Sequence, residues 1–328
     1  MELSFKEKKK LIIIDRTLPE IYKKNEKIKR LEIIYFCWVL DNIGVNFIEI
    51  NRNILDKIRK LPSGIDFIYR VENEDELKMC KESGLSSIII KKGLMSSINI
   101  DEIISGNFNI TLEIEVNDIE DIFNEIKGEK FLIYKSIVRK VRFVGFNKVK
   151  DINWYEKIHR FMDSCKVDID ICPKNKYFLG TAMVLESVMA GINTITTSFL
   201  GLGDDGGFAP LEEALVSIKL LAKGDFRINL NSFQDLSQSY IKLSKSEIAE
   251  DKAIVGKKIF NYESGIHASG IEKFALTYEP YEPNLVGLKR NLKIGKHSGT
   301  SSVMKKLKEL GLSCKKGREI DILLERVR

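Results

Sequence analysis

The sequence predicts an α/β protein: a (β/α)8 TIM barrel followed by a small α-helical, loop-rich C-terminal subdomain. Three observations predict it. Over roughly the first 225 of 328 residues, short β-branched runs alternate with amphipathic stretches, and that switching of period marks β/α units. The runs are apolar nearly throughout, as parallel strands covered on both faces are. Eight such units suit one closed barrel of about 250 residues. A doubly wound open sheet is the alternative, and no G-x-G-x-x-G follows the first strand to support it.

The first strand is LIIID (11–15), preceded by the basic start MELSFKEKKK. Its apolar run is too short for a signal-peptide core and lacks a small-residue cleavage site, so the chain is expected in the cytoplasm. A helix over 27–43 leads to VNFIEI (45–50), and IDFIYR (65–70) follows as the third strand. A helix over 73–83 separates it from SIIIK (87–91) and FNITLEIEV (108–116). Helices are expected over 118–126 and over KFLIYKSIVRK (130–140), the latter because a helix there keeps the strand count at eight. KVRFVGF (140–146), a helix over 153–164, VDIDIC (167–172), a helix over 180–190, NTITTSF (193–199) and a helix over 211–221 complete the barrel.

Beyond about Gly224 the texture changes, which places a barrel domain at 1–228 and a linker with C-terminal subdomain at 229–328. DFRINLNSFQDLSQSYIKLSKSEIAED (225–251) reads as a linker with one or two helices. A stretch rich in Gly and Pro turn signals follows, and then a final helix over 301–311 with Ser301 and Ser302 as N-caps and Gly311 as its stop.

Composition narrows the function classes. Apolar residues at 44% and charged residues at 30% fit a soluble globular protein. No apolar run approaches the roughly 20 residues that span a bilayer. The net charge of +6 comes from lysines scattered over helices such as YKKNEKIKR, a solvated face rather than a nucleic-acid patch. No membrane or nucleic-acid partner is expected. The five cysteines (Cys37, Cys80, Cys165, Cys172, Cys314) are widely spread, with no CxxC pair; most read as reduced, with Cys37 and Cys80 in helical surroundings that favour burial.

The chain has three histidines. His267 lies in ESGIHASG (263–270), which reads as a turn shaped by Gly265 and Gly270. By itself it is a turn histidine bonded to nearby backbone. His159 reads as a helix-surface residue, Tyr281 as a packing aromatic and Cys172 as a small buried side chain. Asp204 and Asp205 sit in a glycine-rich loop where acidic residues can coordinate a cation.

FNYESGIHASGIEKFALTYEPYEPNLVGLKRNLKIGKHSG (260–299) closely resembles the region after the barrel in homocitrate synthases and isopropylmalate synthases. The E-S-G-I-H-x-x-G, T-Y-E-P-x-x-P-x-L-V-G and G-K-H-S-G motifs match in order and spacing. LESVMAGINTITTSFLGLGDDGGFAPLEEAL (185–215) aligns more loosely with the family's barrel. The resemblance implies condensation of acetyl-CoA with a 2-oxo acid. In such enzymes a divalent metal at the barrel mouth polarises the 2-oxo acid and a base deprotonates the acetyl methyl. The resemblance also implies that the C-terminal segment is exchanged between subunits. There His267 and Tyr278 would reach a neighbour's barrel mouth and assist enolisation by hydrogen bonding or proton transfer. Glu263, Lys296 and His297 are candidate substrate contacts, His297 standing between an ordering role and a place near the acyl-CoA.

The barrel departs from the family pattern. Of D-x-T-L-R-[DE]-G-x-Q, Asp15, Thr17 and Leu18 match and Glu20 falls on the acidic metal ligand, but the substrate arginine falls on Pro19 and Gly-x-Gln becomes Ile21-Tyr22-Lys23. Of H-x-H-N-D only Asn175 survives, with Cys172 and Lys174 on the two histidines and Lys176 on the aspartate. Gly203 to Phe208 lacks the arginine and asparagine of the family's G-E-R-A-G-N. Ammonium groups offer a metal no lone pair. This barrel is therefore expected to bind no metal or other cofactor, with Lys174 or Lys176 pairing with Glu20 instead.

The profile resembles the omega-type subunit of a split homocitrate synthase of nitrogen fixation. Its alpha-type partner carries the metal site, and acetyl-CoA and 2-oxoglutarate meet at the shared site. A self-sufficient acyltransferase and a non-catalytic regulatory pseudoenzyme are the alternatives.

Overall fold

The computed structural model describes residues 10–117, 121, 124–125, 134, 136–146, 156–157, 160, 167–222, 226–263, 265–296, 298–312 and 317–327. The chain divides into two compact units, Met1–Asn229 with Gln238–Ser246, and Leu230–Ser237 with Glu247–Arg328.

The first unit is a closed parallel barrel of eight strands in sequence order. They are β1 (Ile12–Asp15), β2 (Phe47–Ile50), β3 (Phe67–Val71), β4 (Ser87–Lys91), β5 (Asn109–Val116), β6 (Lys140–Gly145), β7 (Asp168–Pro173) and β8 (Thr194–Thr197). β1 closes the barrel on β8, from Ile12 opposite Thr194 to Asp15 opposite Thr197. All eight strands fall where the β-branched runs predict them.

Among the described residues the helices of this unit include α1 (Thr17–Lys24), α2 (Arg30–Ile43), α3 (Arg52–Ile58), α4 (Asp75–Glu82), α5 (Lys92–Met95) and α6 (Ile100–Gly106). α7 (Gly180–Met189) and α8 (Leu211–Leu221) follow. α2 starts three residues later than predicted. The Lys29 N–H donates to the Glu32 carboxylate there, a local cap that lets Lys27 and Lys29 stay outside the helix. It stops at Gly44 (φ 108°), where a side chain would meet the Arg227 carbonyl at 2.5 Å. The sequence does not predict α1, α3, α5 or α6: each is a short helix of eight residues or fewer that begins within a few residues of a strand end or of another short helix. The expected helices 118–126, 130–140 and 153–164 lie largely outside the described residues, as does His159.

The strand period of two sorts the barrel interior into layers. Ile14, Ile68 and Ile89 pack together with Ile12 and Phe47 as an apolar floor. One step further along the strands the interior is charged: Glu49, Arg70, Glu113, Arg142 and Asp170 are all buried. Above them lie Val144, Cys172 and Phe208.

In the second unit, β9 (Asn261–Tyr262) pairs in parallel with β10 (Asn291–Leu292). The helix α9 (Phe233–Ser244) contributes residues to both units. α10 (Gly265–Phe274), α11 (Thr300–Glu309) and α12 (Arg318–Val327) follow. Val303, Ile320 and Leu324 form the core between α11 and α12, with Ile294, Met304 and Leu307 against them. Ser301 and Ser302 do not cap α11: they lie inside it, Gly299 is the N-cap, and no side chain caps that end. Gly311 (φ 73°) does end the helix, its N–H donating to the Lys308 carbonyl. No helix among the described residues is long and apolar enough to cross a membrane.

Candidate functional site

Two places carry the chemistry-bearing residues, one in each unit. At the mouth of the barrel, β1 ends in Asp15, and the next inward-facing position belongs to Arg16. Its guanidinium stacks 3.8 Å over the Phe208 ring and donates through Nη1 to the Cys172 sulfur at 3.6 Å. Its Nη2 lies 3.5 Å from Glu20 and 3.9 Å from Glu49.

Below Arg16 the network continues around the barrel wall. Arg70 of β3 donates Nε to Glu49 of β2 at 2.7 Å and forks onto both Glu113 oxygens of β5 at 2.7 and 2.6 Å. Arg142 of β6 donates to the other Glu49 oxygen and to Asp170 of β7, each at 2.6 Å. Thr196 of β8 donates to Asp170. Three buried guanidiniums thus face three buried carboxylates across six strands, with Arg16 joining the network from the end of β1.

Burial alone would push the Glu113 and Glu49 carboxyls up, but the guanidiniums outweigh it. Glu113 is held down at about 2, and Glu49, between Arg70, Arg16 and Arg142, also lies well below the usual range. Asp15 differs. By strand alternation it faces away from the interior, bonded by the Thr17 N–H and hydroxyl. Burial lifts its carboxyl to about 7.

The metal-ligand positions read from the sequence come together here. Glu20 is 4% exposed and pairs with Lys23 at 2.8 Å as well as with Arg16. The expected pairing of Glu20 with Lys174 or Lys176 is not what forms. Those lysines bind Asp205 at 3.6 and 2.8 Å, and Lys23 also reaches Asp204 at 2.8 Å. Asp204 and Asp205 therefore act as ion-pair partners of the mouth lysines rather than as ligands for a cation. The reason is reach: Lys23, one turn along α1 from Glu20, arrives first.

The loop after β8 is strapped over these strand ends by backbone. Asn175 N–H donates to the Gly207 carbonyl, Ala209 N–H to Pro173 and Phe208 N–H to Gly201. Gly207 (φ 73°) permits the approach, since a side chain there would lie 1.8 Å from the Gly201 carbonyl oxygen.

As placed, these residues do not fit the divalent ion that the resemblance implies. Glu20 is already held by an ammonium and a guanidinium. The Cys172 thiol, pushed up by burial to about 11, already accepts from Arg16. Lys174 has no lone pair to offer. Among the described residues no group of three or more His, Cys, Asp or Glu is placed to hold a metal ion.

In the second unit the stretch 263–270 is not a turn. Gly265–Phe274 is a helix, and Gly265 and Gly270 lie in it. Ala268, Ile271 and Phe274 recur every three residues, a spacing compatible with a helix despite the turn signal of the two glycines. Gly270 has a different use from the one read in the sequence. A side chain there would lie 2.2 Å from a Tyr278 ring carbon, so its absence seats Tyr278 on the helix. His267, one turn earlier, is exposed, with its ring 4.7 Å from that of Tyr278 and inclined by 49°. Tyr278 remains 44% exposed.

The residue after Tyr278 anchors it. Glu279 is buried and receives Arg290 Nε at 2.9 Å and Nη2 at 2.7 Å, while Arg290 also reaches Glu282 at 2.5 Å. Arg290 directly precedes β10, whose partner β9 leads towards α10. Glu263 lies against the G-K-H-S-G turn, whose Gly295 leaves room for its carboxylate and whose Ser298 hydroxyl donates to the Glu263 carbonyl. Lys296 is exposed on that turn, and His297 lies outside the described residues. Tyr281 packs edge-on against Phe260, and Cys172 is fully buried, as expected of each.

Arg16, Glu49, Arg70, Glu113, Arg142 and Asp170 are not among the site residues expected from the sequence. Their signal was present: a charged residue set at an inward position in strands otherwise apolar, as in FIEI, FIYRV and KVRFVG. Arg290 carried no comparable signal.

Comparison with known proteins agrees with both units. A family model described as "Homocitrate synthase post-HMGL domain-like" matches residues 254–328. The chain is 34% identical over 306 residues to the homocitrate synthase omega subunit of Clostridium pasteurianum, covering 92% of this chain and 85% of that protein. It is 29% identical to 2-isopropylmalate synthase 2 of Caldanaerobacter subterraneus, covering 99% of this chain and 92% of that protein. Among solved structures, a hydroxymethylglutaryl-CoA lyase from Pseudomonas aeruginosa matches the fold with a TM-score of 0.56 at 13% identity, over 73% of this chain and 94% of the other. With the barrel, the C-terminal motifs and a relative of this identity and coverage, the chain belongs to the homocitrate synthase and isopropylmalate synthase family.

Proposed function

We propose that the chain is one subunit of a two-chain homocitrate synthase, and that it completes the active site of an alpha-type partner. The reaction is acetyl-CoA plus 2-oxoglutarate and water giving homocitrate and CoA. One contrast carries the reading: the chain's own barrel mouth is occupied by Arg16 and its ion pairs, while His267 and Tyr278 stand paired and exposed. A catalytic pair with no accessible site in its own barrel is suited to serve another chain's.

In that role His267 and Tyr278 sit where the acetyl group is enolised. The imidazole takes or returns a proton, and the phenol hydroxyl donates a hydrogen bond to oxygen as charge develops there. The divalent metal belongs to the partner's barrel, and this chain's barrel holds none. Glu263, Lys296 and His297 are the candidate substrate contacts, with the Lys296 ammonium suited to a CoA phosphate. The chain works in the cytoplasm, in the supply of homocitrate for nitrogen fixation.

The test is reconstitution. The purified chain, mixed with acetyl-CoA, 2-oxoglutarate and Mn2+, is expected to release no CoA. Adding an alpha-type subunit should produce CoA and homocitrate, and His267→Ala should cut that rate by about 10²–10⁴ without weakening association. Activity of the chain alone would favour a self-sufficient synthase. A partner equally active without this chain would favour a regulatory role.

A further inference from the structure

We infer that Arg16 stands in for a metal: its guanidinium is the fixed cation of the barrel mouth. The interior carboxylates create the need. Glu49, Glu113 and Asp170 are buried, and Glu20 lies above them at the rim. Buried carboxylates stay ionised only beside compensating charge. Arg70 and Arg142 supply two cations to the three interior carboxylates, leaving one negative charge over. Arg16 brings the third cation, from a position facing Glu20, Glu49 and Cys172 together.

The geometry is that of a seated cation rather than a passing side chain. The guanidinium plane stacks on Phe208, and Arg16 N–H donates to the Thr197 carbonyl, which fixes where the side chain begins. Phe208 is itself held by the strap from Gly201 to Ala209. The fit is incomplete in one respect: Arg16 Nε and Arg142 Nη2 are buried with no hydrogen-bond acceptor among the described residues. Those nitrogens are a cost that the ion pairs with the buried carboxylates must offset. The charge is what the position requires. With three cations against three carboxylates, and Lys23 compensating Glu20, a divalent ion would bring two charges too many.

This inference is independent of whether the chain assists a partner, since it is read on the chain alone. The wild-type chain, freed of metal and titrated with Mn2+, is expected to bind no equivalent at the barrel. Its melting temperature should be the same in EDTA and in Mn2+. Arg16→Gln should lower the melting temperature by roughly 5–10 °C. Arg16→Lys, which keeps the charge, should melt close to wild type. Stoichiometric Mn2+ binding by the wild type would overturn the inference, as would wild-type stability in Arg16→Gln. If Arg16→Gln fails to fold, Arg16→Lys decides: a fold retained with the charge supports the assignment, and a fold lost despite it refutes it.

Discussion

The His267 ring rests 4.7 Å from the Tyr278 ring because residue 270 has no side chain. Alanine at 270 is a better helix former than glycine by up to about 1 kcal/mol, so Gly270→Ala should leave the helix intact. Its Cβ would nevertheless push the Tyr278 ring away. We expect unchanged far-UV circular dichroism and an unchanged melting temperature, with reconstituted activity reduced at least about tenfold. Steady-state CoA release with the partner subunit checks it.

Arg290 holds Glu279, and through it the chain direction at Tyr278. Arg290→Gln should cost the second unit about 1–2 kcal/mol, and should also shift the histidine proton resonance that feels the Tyr278 ring current. Arg290→Lys retains the charge but not the fork and should recover stability more than ring geometry. One-dimensional proton NMR suffices, because the chain has three histidines and His267→Ala assigns the resonance.

Arg142 is fully buried and contacts Glu49, Glu113 and Asp170. Arg142→Ala removes the cation and leaves its carboxylates short of charge. The expected loss is about 3–5 kcal/mol, read as a lower urea midpoint of the barrel transition. Adding Asp170→Asn to that variant should return part of the loss, and a double-mutant cycle measures the coupling.

Asp15 makes barrel stability depend on pH. Its folded pKa of about 7 lies above the unfolded value near 4. The folded chain therefore holds that proton longer, and the contribution to stability is complete below about pH 4 and disappears as pH rises to about 7. Melting temperature should fall between pH 5 and pH 7, and Asp15→Asn should flatten the slope. A profile equally steep in the variant would remove Asp15 from the account.

The barrel was legible because strand and helix periods differ and each of the eight strands is buried on both faces. The departures from the family's ligand pattern were legible too, as the residue types at Cys172 and Lys174. The ion-pair network that fills the mouth was not. The sequence offers Lys174 or Lys176 as the partner of Glu20, and only the inward direction of the position after β1 brings Arg16 there. The helix at Gly265–Phe274 was hidden by its glycines, which signal turns in general. Here one of them relieves a contact with a tyrosine eight residues on, and no local pattern carries that information.

The strap of Gly201 to Ala209 over Arg16 has a consequence for how this barrel changes over time. A working active site must stay hollow, strained and partly unsatisfied, and it gives up stability for that. In the proposed division of labour the chemistry belongs to a partner's barrel, so rigidity at this mouth carries no catalytic penalty. Substitutions that tighten it, such as larger apolar side chains beside Val144 and Phe208, are constrained by fit alone, and the barrel is free to become a stiffer body than any relative that must open for a ligand.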